Sequence, residues 1–311
     1  MANFLSKSFL AQSFCIPAPT LTEKNLPPQN GRVHLITGGY AGVGKQLATI
    51  LYEKNAKVFI AGRNEEKALE AIRQIKKQHP SSSGSLYFLQ LDLNDLTTIK
   101  PAVLDFISRE SRLDVLVNNA GVMFPPNGSK TRQDHDMQFG TNLLGPFLLT
   151  KLLLPTMIQT VNIAAPNSVR VLWAASSGVQ VLSPKGGIVF DDSGTPKVFD
   201  SQATNYGQTK ITGHQEPFVQ SWKPPDRTSA SFLWLVDEDE PVYAPPAKFG
   251  AYTELFSGWS EEVAADQNIT YVIPWGRDGT KLMRSDITRA IKNGLADKMW
   301  EWCELETSQF L

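Results

Sequence analysis

A chain of 311 residues, 41% hydrophobic and 20% charged, is long enough to bury a full core in one α/β domain. With 30 basic and 31 acidic residues the net charge is −1, which offers no electrostatic footprint for nucleic acid or an anionic membrane. Cys15 and Cys303 lie at opposite ends of the sequence and outside any metal-ligand spacing, which excludes a disulfide framework and a zinc site; the chain reads as intracellular and cytoplasmic.

Residues 1–30 form an N-terminal arm. It carries Phe4, Leu5, Phe9, Leu10 and Phe14, but Ser6, Lys7 and Ser8 interrupt the apolar run. No signal peptide or integral membrane segment is expected, and the arm should pack on the domain. The apolar run Val33 to Ile36 stops at glycines, and Leu47, Ala48, Ile50 and Leu51 follow at helical spacing, which predicts strand, tight turn and a helix over 46–54. A second strand is expected over 57–61. Asn64 then caps a helix to about Gln78, whose first turn holds Glu65 and Glu66 where the helix dipole favours carboxylates.

A loop over 80–84 leads to a third strand over 86–91, a helix over 96–110 and a fourth strand over 114–117. The alternation continues with a helix over 133–154, a strand over 169–173, a Gly/Pro/Asp-rich insertion over 183–205 and a helix bearing Tyr206. Strands alternating with helices of this length predict a single α/β domain built on a doubly wound parallel sheet of Rossmann type, with ligand at the carboxyl ends of the strands. From Ile211 the pattern breaks. Pro217 interrupts what should be a long helix, Pro224-Pro225 cannot be helical, and one apolar strand over 231–236 is expected before the solvated run Asp237-Glu238-Asp239-Glu240. Residues 250–256 and 286–303 return to helical spacing.

Four short motifs carry chemistry. In Thr37-Gly38-Gly39-Tyr40-Ala41-Gly42-Val43-Gly44, glycines at a strand-to-helix turn remove side chains that would block a cofactor pyrophosphate, and the helix from Lys45 supplies its positive end. Arg63 follows Gly44 at the distance where a basic residue meets the 2′-phosphate of NADP, with Lys45 as a second cation, so NADP (NADPH) is the expected cofactor. Asn118-Asn119-Ala120-Gly121 ends the fourth strand, and Ser176-Ser177 the fifth. Tyr206 and Lys210, four apart on a helix, share one face. A tyrosine whose ordinary pKa is about 10 exchanges protons poorly at neutral pH; a nearby ammonium and an oxidised nicotinamide favour its phenolate.

In this order the four motifs resemble the short-chain dehydrogenase/reductase family, and within it fungal members similar to retinol dehydrogenases. The resemblance covers residues 31–210 and returns at Phe249-Gly250-Ala251-Tyr252-Thr253-Glu254-Leu255-Phe256 and Tyr271-Val272-Ile273-Pro274-Trp275-Gly276-Arg277. It implies Tyr206 as proton exchanger, Lys210 as partner of the tyrosine and of the nicotinamide ribose, and Ser177 as the hydroxyl on the substrate oxygen. It further implies Asn142 as a mid-helix kink serving a water relay, and Asp92 and Asn119 as contacts to the nucleotide. The function so implied is NADP-dependent interconversion of a ketone or aldehyde and an alcohol, in fungal secondary metabolism, by a homodimer acting on a small molecule.

The layout is an arm (1–30), a dinucleotide-binding and catalytic core (31–210), a divergent segment (211–246) replacing the family's sixth strand and lid, and a C-terminal helical part (247–311). Because of that segment, the C-terminal part is expected to be atypical or incomplete. A second reading, a catalytically silent or degenerate dinucleotide-binding protein, stays open.

Overall fold

The computed structural model of the protein describes residues 7–211, 228–234, 246–266, 269 and 271–311. Six strands form one parallel sheet: β1 (Val33–Thr37), β2 (Lys57–Gly62), β3 (Ser85–Gln90), β4 (Val115–Asn118), β5 (Val169–Ala175) and β6 (Thr228–Trp234), in spatial order β3-β2-β1-β4-β5-β6. Successive strand residues point to opposite faces, and both faces are covered, so the strands read as continuous apolar runs. On one face Ile36, Val58, Ile60, Val115 and Val117 pack with α2 (Gly42–Glu53) and α3 (Glu65–Gln78). On the other, Leu35, Phe59 and Leu116 pack with α4 (Ile99–Arg109) and α5 (Met137–Val161).

The expected alternation is present, and the physical reasons are local. Asn64 accepts a hydrogen bond from Lys67 N–H at 2.8 Å, which starts α3 at Glu65. The long helix α5 begins at Met137 because Asp136 Oδ1 accepts from the backbone N–H groups of Gln138 and Phe139, at 3.0 and 3.2 Å. Burial raises the Asp136 carboxyl above its ordinary pKa, against those two bonds. By length and composition α5 could cross a membrane, but 61% of its apolar window is buried inside the fold, as befits a core helix.

One expectation is corrected. The sequence reading leaves the sixth strand unrecognised and offers a lone strand over 231–236; the structure places β6 at Thr228–Trp234, paired in parallel with β5 from Val169↔Thr228 to Ala175↔Trp234. The first half of β6, Thr228-Ser229-Ala230-Ser231, is small and mostly polar, with Thr228 its one β-branched residue and no aromatic, so it carries little of the signature by which strands are found. The expected breaks at Pro217 and Pro224-Pro225, and the Asp237–Glu240 run, lie outside the described residues.

The C-terminal part returns to the sheet through α6 (Ala247–Trp259), which packs on α2 and β6. The arm packs on this part: Tyr252 Oη donates to Glu23 at 2.7 Å, and Tyr271 Oη donates to the buried Gln12 at 2.8 Å. The strand order reverses between β1 and β4, and ligands of open α/β sheets bind at the carboxyl ends beside such a switch point.

Candidate active site

The turn between β1 and α2 is built around Asn119. Gly38 and Gly42 hold left-handed backbone, at φ +68° and +53°, which glycine adopts without steric cost. Asn119 Nδ2 donates to Thr37 O at 2.8 Å, and Ala120 N–H donates to Thr37 Oγ1 at 2.9 Å, so the Asn-Asn-Ala-Gly loop is stapled to the glycine-rich turn. A Cβ on Gly44 would stand 2.6 Å from Asn119 Nδ2 and 2.9 Å from Gly38 O. Gly44 therefore makes room for Asn119 rather than directly for a ligand, a refinement of the expected role. Val43 turns its side chain into the core, where a Cβ on Gly250 would meet it at 2.7 Å, leaving only its backbone for a ligand. The first amides of α2 have no intrahelical acceptor by helix geometry and carry the positive end of its dipole.

Arg63 is exposed immediately after β2, whose Ala61 O accepts from Gly38 N–H at 2.8 Å. Lys45, expected as a second cation, donates to Gln74 of α3 at 2.6 Å. Asp92 follows β3 and accepts from Asn94 N–H at 3.0 Å. Left-handed glycines, helix amides and an exposed arginine on one rim make a cradle that fits the phosphates of a dinucleotide.

Beyond the switch point, β4 and β5 are in register with Asn118, the last residue of β4, opposite Trp173, so the last two residues of β5, Ala174 and Ala175, run on beside the Asn119 loop. There Lys210 Nζ donates to Ala174 O at 3.1 Å and lies 5.6 Å from the centre of the Tyr206 ring. Both residues belong to α7 (Gln202–Thr209) and its C-cap Lys210, and both are buried. Lys210 N–H donates to Tyr206 O at 3.2 Å, so they stand one turn apart as their spacing predicts. In the Ser-Ser pair, Ser176 Oγ accepts from Gly178 N–H at 3.0 Å, whereas Ser177 sits at the N-cap position of the short helix Gly178–Val181 with no capping bond from its side chain. A Cβ on Gly178 would stand 3.1 Å from Tyr206 Cε1, so this glycine permits the ring to lie against the serine turn.

Asn142 lies in a π-helical turn of α5, Gly140–Leu144. Its Oδ1 accepts from Val122 N–H at 2.7 Å, and its Nδ2 donates to Val122 O at 2.9 Å and Thr209 Oγ1 at 3.1 Å. The amide thus ties the loop after β4 to the helix of Tyr206.

Three residues that sequence reasoning missed complete the arrangement. Gly121 is the narrow point: a Cβ there would stand 3.0 Å from Asn142 Oδ1 and 3.2 Å from Lys210 Nζ. Its signal was its place in the Asn-Asn-Ala-Gly motif. Phe124 is exposed, holds a left-handed backbone at φ +50° and sets its ring edge-on to Tyr206, centroids 5.6 Å apart. Such a conformation costs a bulky residue about 1–2 kcal/mol, so it persists only where surroundings impose it. Gln138, fully buried, imposes it: Oε1 accepts from Phe124 N–H at 3.2 Å and Nε2 donates to Gln202 O at 3.0 Å, at the start of α7.

The family model described as short chain dehydrogenase matches residues 32–178. A short-chain dehydrogenase/reductase of Phomopsis amygdali is 38% identical over 320 aligned positions, which cover 94% of this chain and 95% of that protein. Among solved structures, a NADH-dependent reductase complexed with NAD superposes with a TM-score of 0.59 at 17% identity, covering 78% of this chain and 94% of that one. A metagenomic short-chain oxidoreductase in complex with NADP does so at 0.51 and 22% identity, covering 74% and 92%. Fold, motif order and full-length similarity agree: the chain is an oxidoreductase of the short-chain dehydrogenase/reductase family.

Proposed function

We propose that this protein is an NADP-dependent reductase or dehydrogenase that interconverts a ketone or aldehyde and an alcohol. The observation that carries the reading is the placement of Lys210 Nζ, 5.6 Å from the Tyr206 ring centre, at the end of β5 beside the Asn119 loop. The dinucleotide, when bound, supplies or accepts the hydride. Tyr206 gives its proton to the substrate oxygen in reduction and takes it in oxidation. Lys210 favours the phenolate electrostatically and would hydrogen-bond a ribose of the bound dinucleotide, which would orient its nicotinamide for hydride transfer. Ser177, whose hydroxyl has no capping duty, holds the substrate oxygen. With its amide engaged by Val122 and Thr209, the Asn142 side chain acts as a positioning residue, in the π-helical turn where the resemblance implies a water relay.

Solved neighbours include complexes with NAD and with NADP, so the fold alone does not choose between them. The choice rests on Arg63, with Lys45, whose ammonium donates to Gln74, as the second cation. Asp92 and the first amides of α2 complete the nucleotide site in this reading; the context is fungal secondary metabolism, which the resemblance implies, in the cytoplasm, which the cysteine usage suggests. Dissociation constants measured by fluorescence provide the test: NADPH should bind at least about tenfold more tightly than NADH, and Arg63→Asp should narrow or reverse the preference, in keeping with about 1.5–3 kcal/mol for a charge-assisted bond. Equal affinities in the parent protein would contradict NADP dependence.

A further inference from the structure

We infer that Phe124 is a specificity-determining residue that selects carbonyl substrates bearing an aromatic or other flat apolar group; the inference rests on the reading of Tyr206 as the group that meets the substrate oxygen. Four observations converge on it. The ring is 47% exposed although it belongs to a large apolar side chain, so it does not serve the core. It stands edge-on to Tyr206 at 5.6 Å between centroids, within the range where aromatic rings attract. Its left-handed backbone, φ +50°, is unfavourable for phenylalanine and would suit asparagine or glycine better. And the fully buried Gln138 pins its N–H while holding the first residue of the Tyr206 helix, so ring and hydroxyl keep a fixed relation.

A strained, exposed aromatic held rigidly beside a reacting group is poorly explained by stability and well explained by ligand contact. A carbonyl whose oxygen meets Tyr206 presents one of its two substituents toward Phe124. A flat ring there completes an edge-to-face or offset stack, whereas a saturated ring of similar size cannot. In the reaction the carbonyl carbon gains a hydride from the reduced nicotinamide and the oxygen gains the Tyr206 proton, so the stack acts on binding and orientation and leaves the chemistry unaltered.

The test compares acetophenone with its saturated counterpart, cyclohexyl methyl ketone, as substrates of the full chain with NADPH, in the parent and in Phe124→Leu, Phe124→Tyr and Phe124→Asn. The parent should favour the aryl ketone in kcat/KM. Phe124→Leu should lower that preference about threefold to tenfold, chiefly through KM, and Phe124→Tyr should retain it. Phe124→Asn separates function from structure, because it relieves the backbone: thermal stability should hold or rise while the aryl preference is lost. An unchanged preference in Phe124→Leu and Phe124→Asn overturns the inference and leaves the reductase reading standing, as does a parent that prefers the saturated ketone. A parent that binds NADPH yet reduces no member of a broad carbonyl panel overturns the reading beneath it and the inference with it.

Discussion

The glycine-rich turn and helix α6 pack on the same face of the sheet, yet they treat buried polar groups in opposite ways. Around the turn, the side chains of Thr37 and Asn119 are hydrogen-bonded to backbone, and Arg63 remains exposed at the rim. Along α6, Glu254 is fully buried, and neither of its carboxylate oxygens has a hydrogen-bond partner among the described residues; the indole nitrogen of Trp259 and both ring nitrogens of His34, whose ring meets Trp259 edge-on at 5.0 Å, are in the same position. Burial alone pushes the Glu254 carboxyl up to about 8; burial, helped by the charges of Arg32 and Arg112 and opposed by Asp114, holds the His34 imidazole well below its ordinary value. The turn is organised to meet charge. The helix is organised to exclude it, and stays intact by keeping its acid protonated.

Substitutions that reverse either treatment sharpen the contrast. The largest effect is expected from Gly44→Val, whose Cβ would press on Asn119 Nδ2 and on Gly38 O, the latter being backbone and unable to swing away. It should weaken dinucleotide binding by about a hundredfold or more and lower stability by about 2–3 kcal/mol, measured by fluorescence titration and urea unfolding.

Glu254→Gln should do the reverse to stability. A carboxyl at about 8 in the folded protein and near 4.5 when unfolded leaves stability intact below 4.5 and erodes it as pH rises toward 8, because the unfolded chain ionises first. The variant, unable to ionise, should gain about 2 kcal/mol or more at pH 8 and almost nothing at pH 4.5, seen as a thermal-midpoint difference that grows with pH. A difference that is the same at both pH values would mean that Glu254 is not buried as described.

The smallest of the three changes, Gly121→Ala, pushes a methyl group between Asn142 Oδ1 and Lys210 Nζ at contacts of 3.0 and 3.2 Å, which flexible groups can partly yield. Turnover should fall about tenfold with NADPH affinity changed by less than about threefold, since orientation at the reacting end is what it disturbs.

The same contrast explains what could be read in advance. The turn, the capped start of α3 at Asn64 and the one-turn spacing of Tyr206 and Lys210 depend on residues within a few positions of each other, so composition and periodicity reveal them. What stayed hidden depends on distant partners. Phe124 owes its conformation to Gln138, fourteen positions on; the arm owes its place to Tyr252 and Tyr271; β6 is a strand because β5 offers it a parallel edge, although its first four residues have the composition of a loop. Lys45 is another long-range case: its ammonium donates to Gln74, twenty-nine positions on and on the next helix, a bond that its place in the sequence does not announce.

In the proposed function, the glycine-rich turn and the Tyr206–Lys210 site together carry a hydride between a dinucleotide and a carbonyl. Incubating the full chain with NADPH deuterated at the transferable C4 position and an aryl ketone, then analysing the alcohol by mass spectrometry, tests it directly. The account predicts deuterium on the carbinol carbon, with transfer at least about a hundredfold slower in Tyr206→Phe and the affinity for NADPH little changed. NADPH bound tightly by the parent with no label reaching an alcohol from any ketone or aldehyde tried would contradict it, and would mark the chain as a dinucleotide-binding protein without turnover.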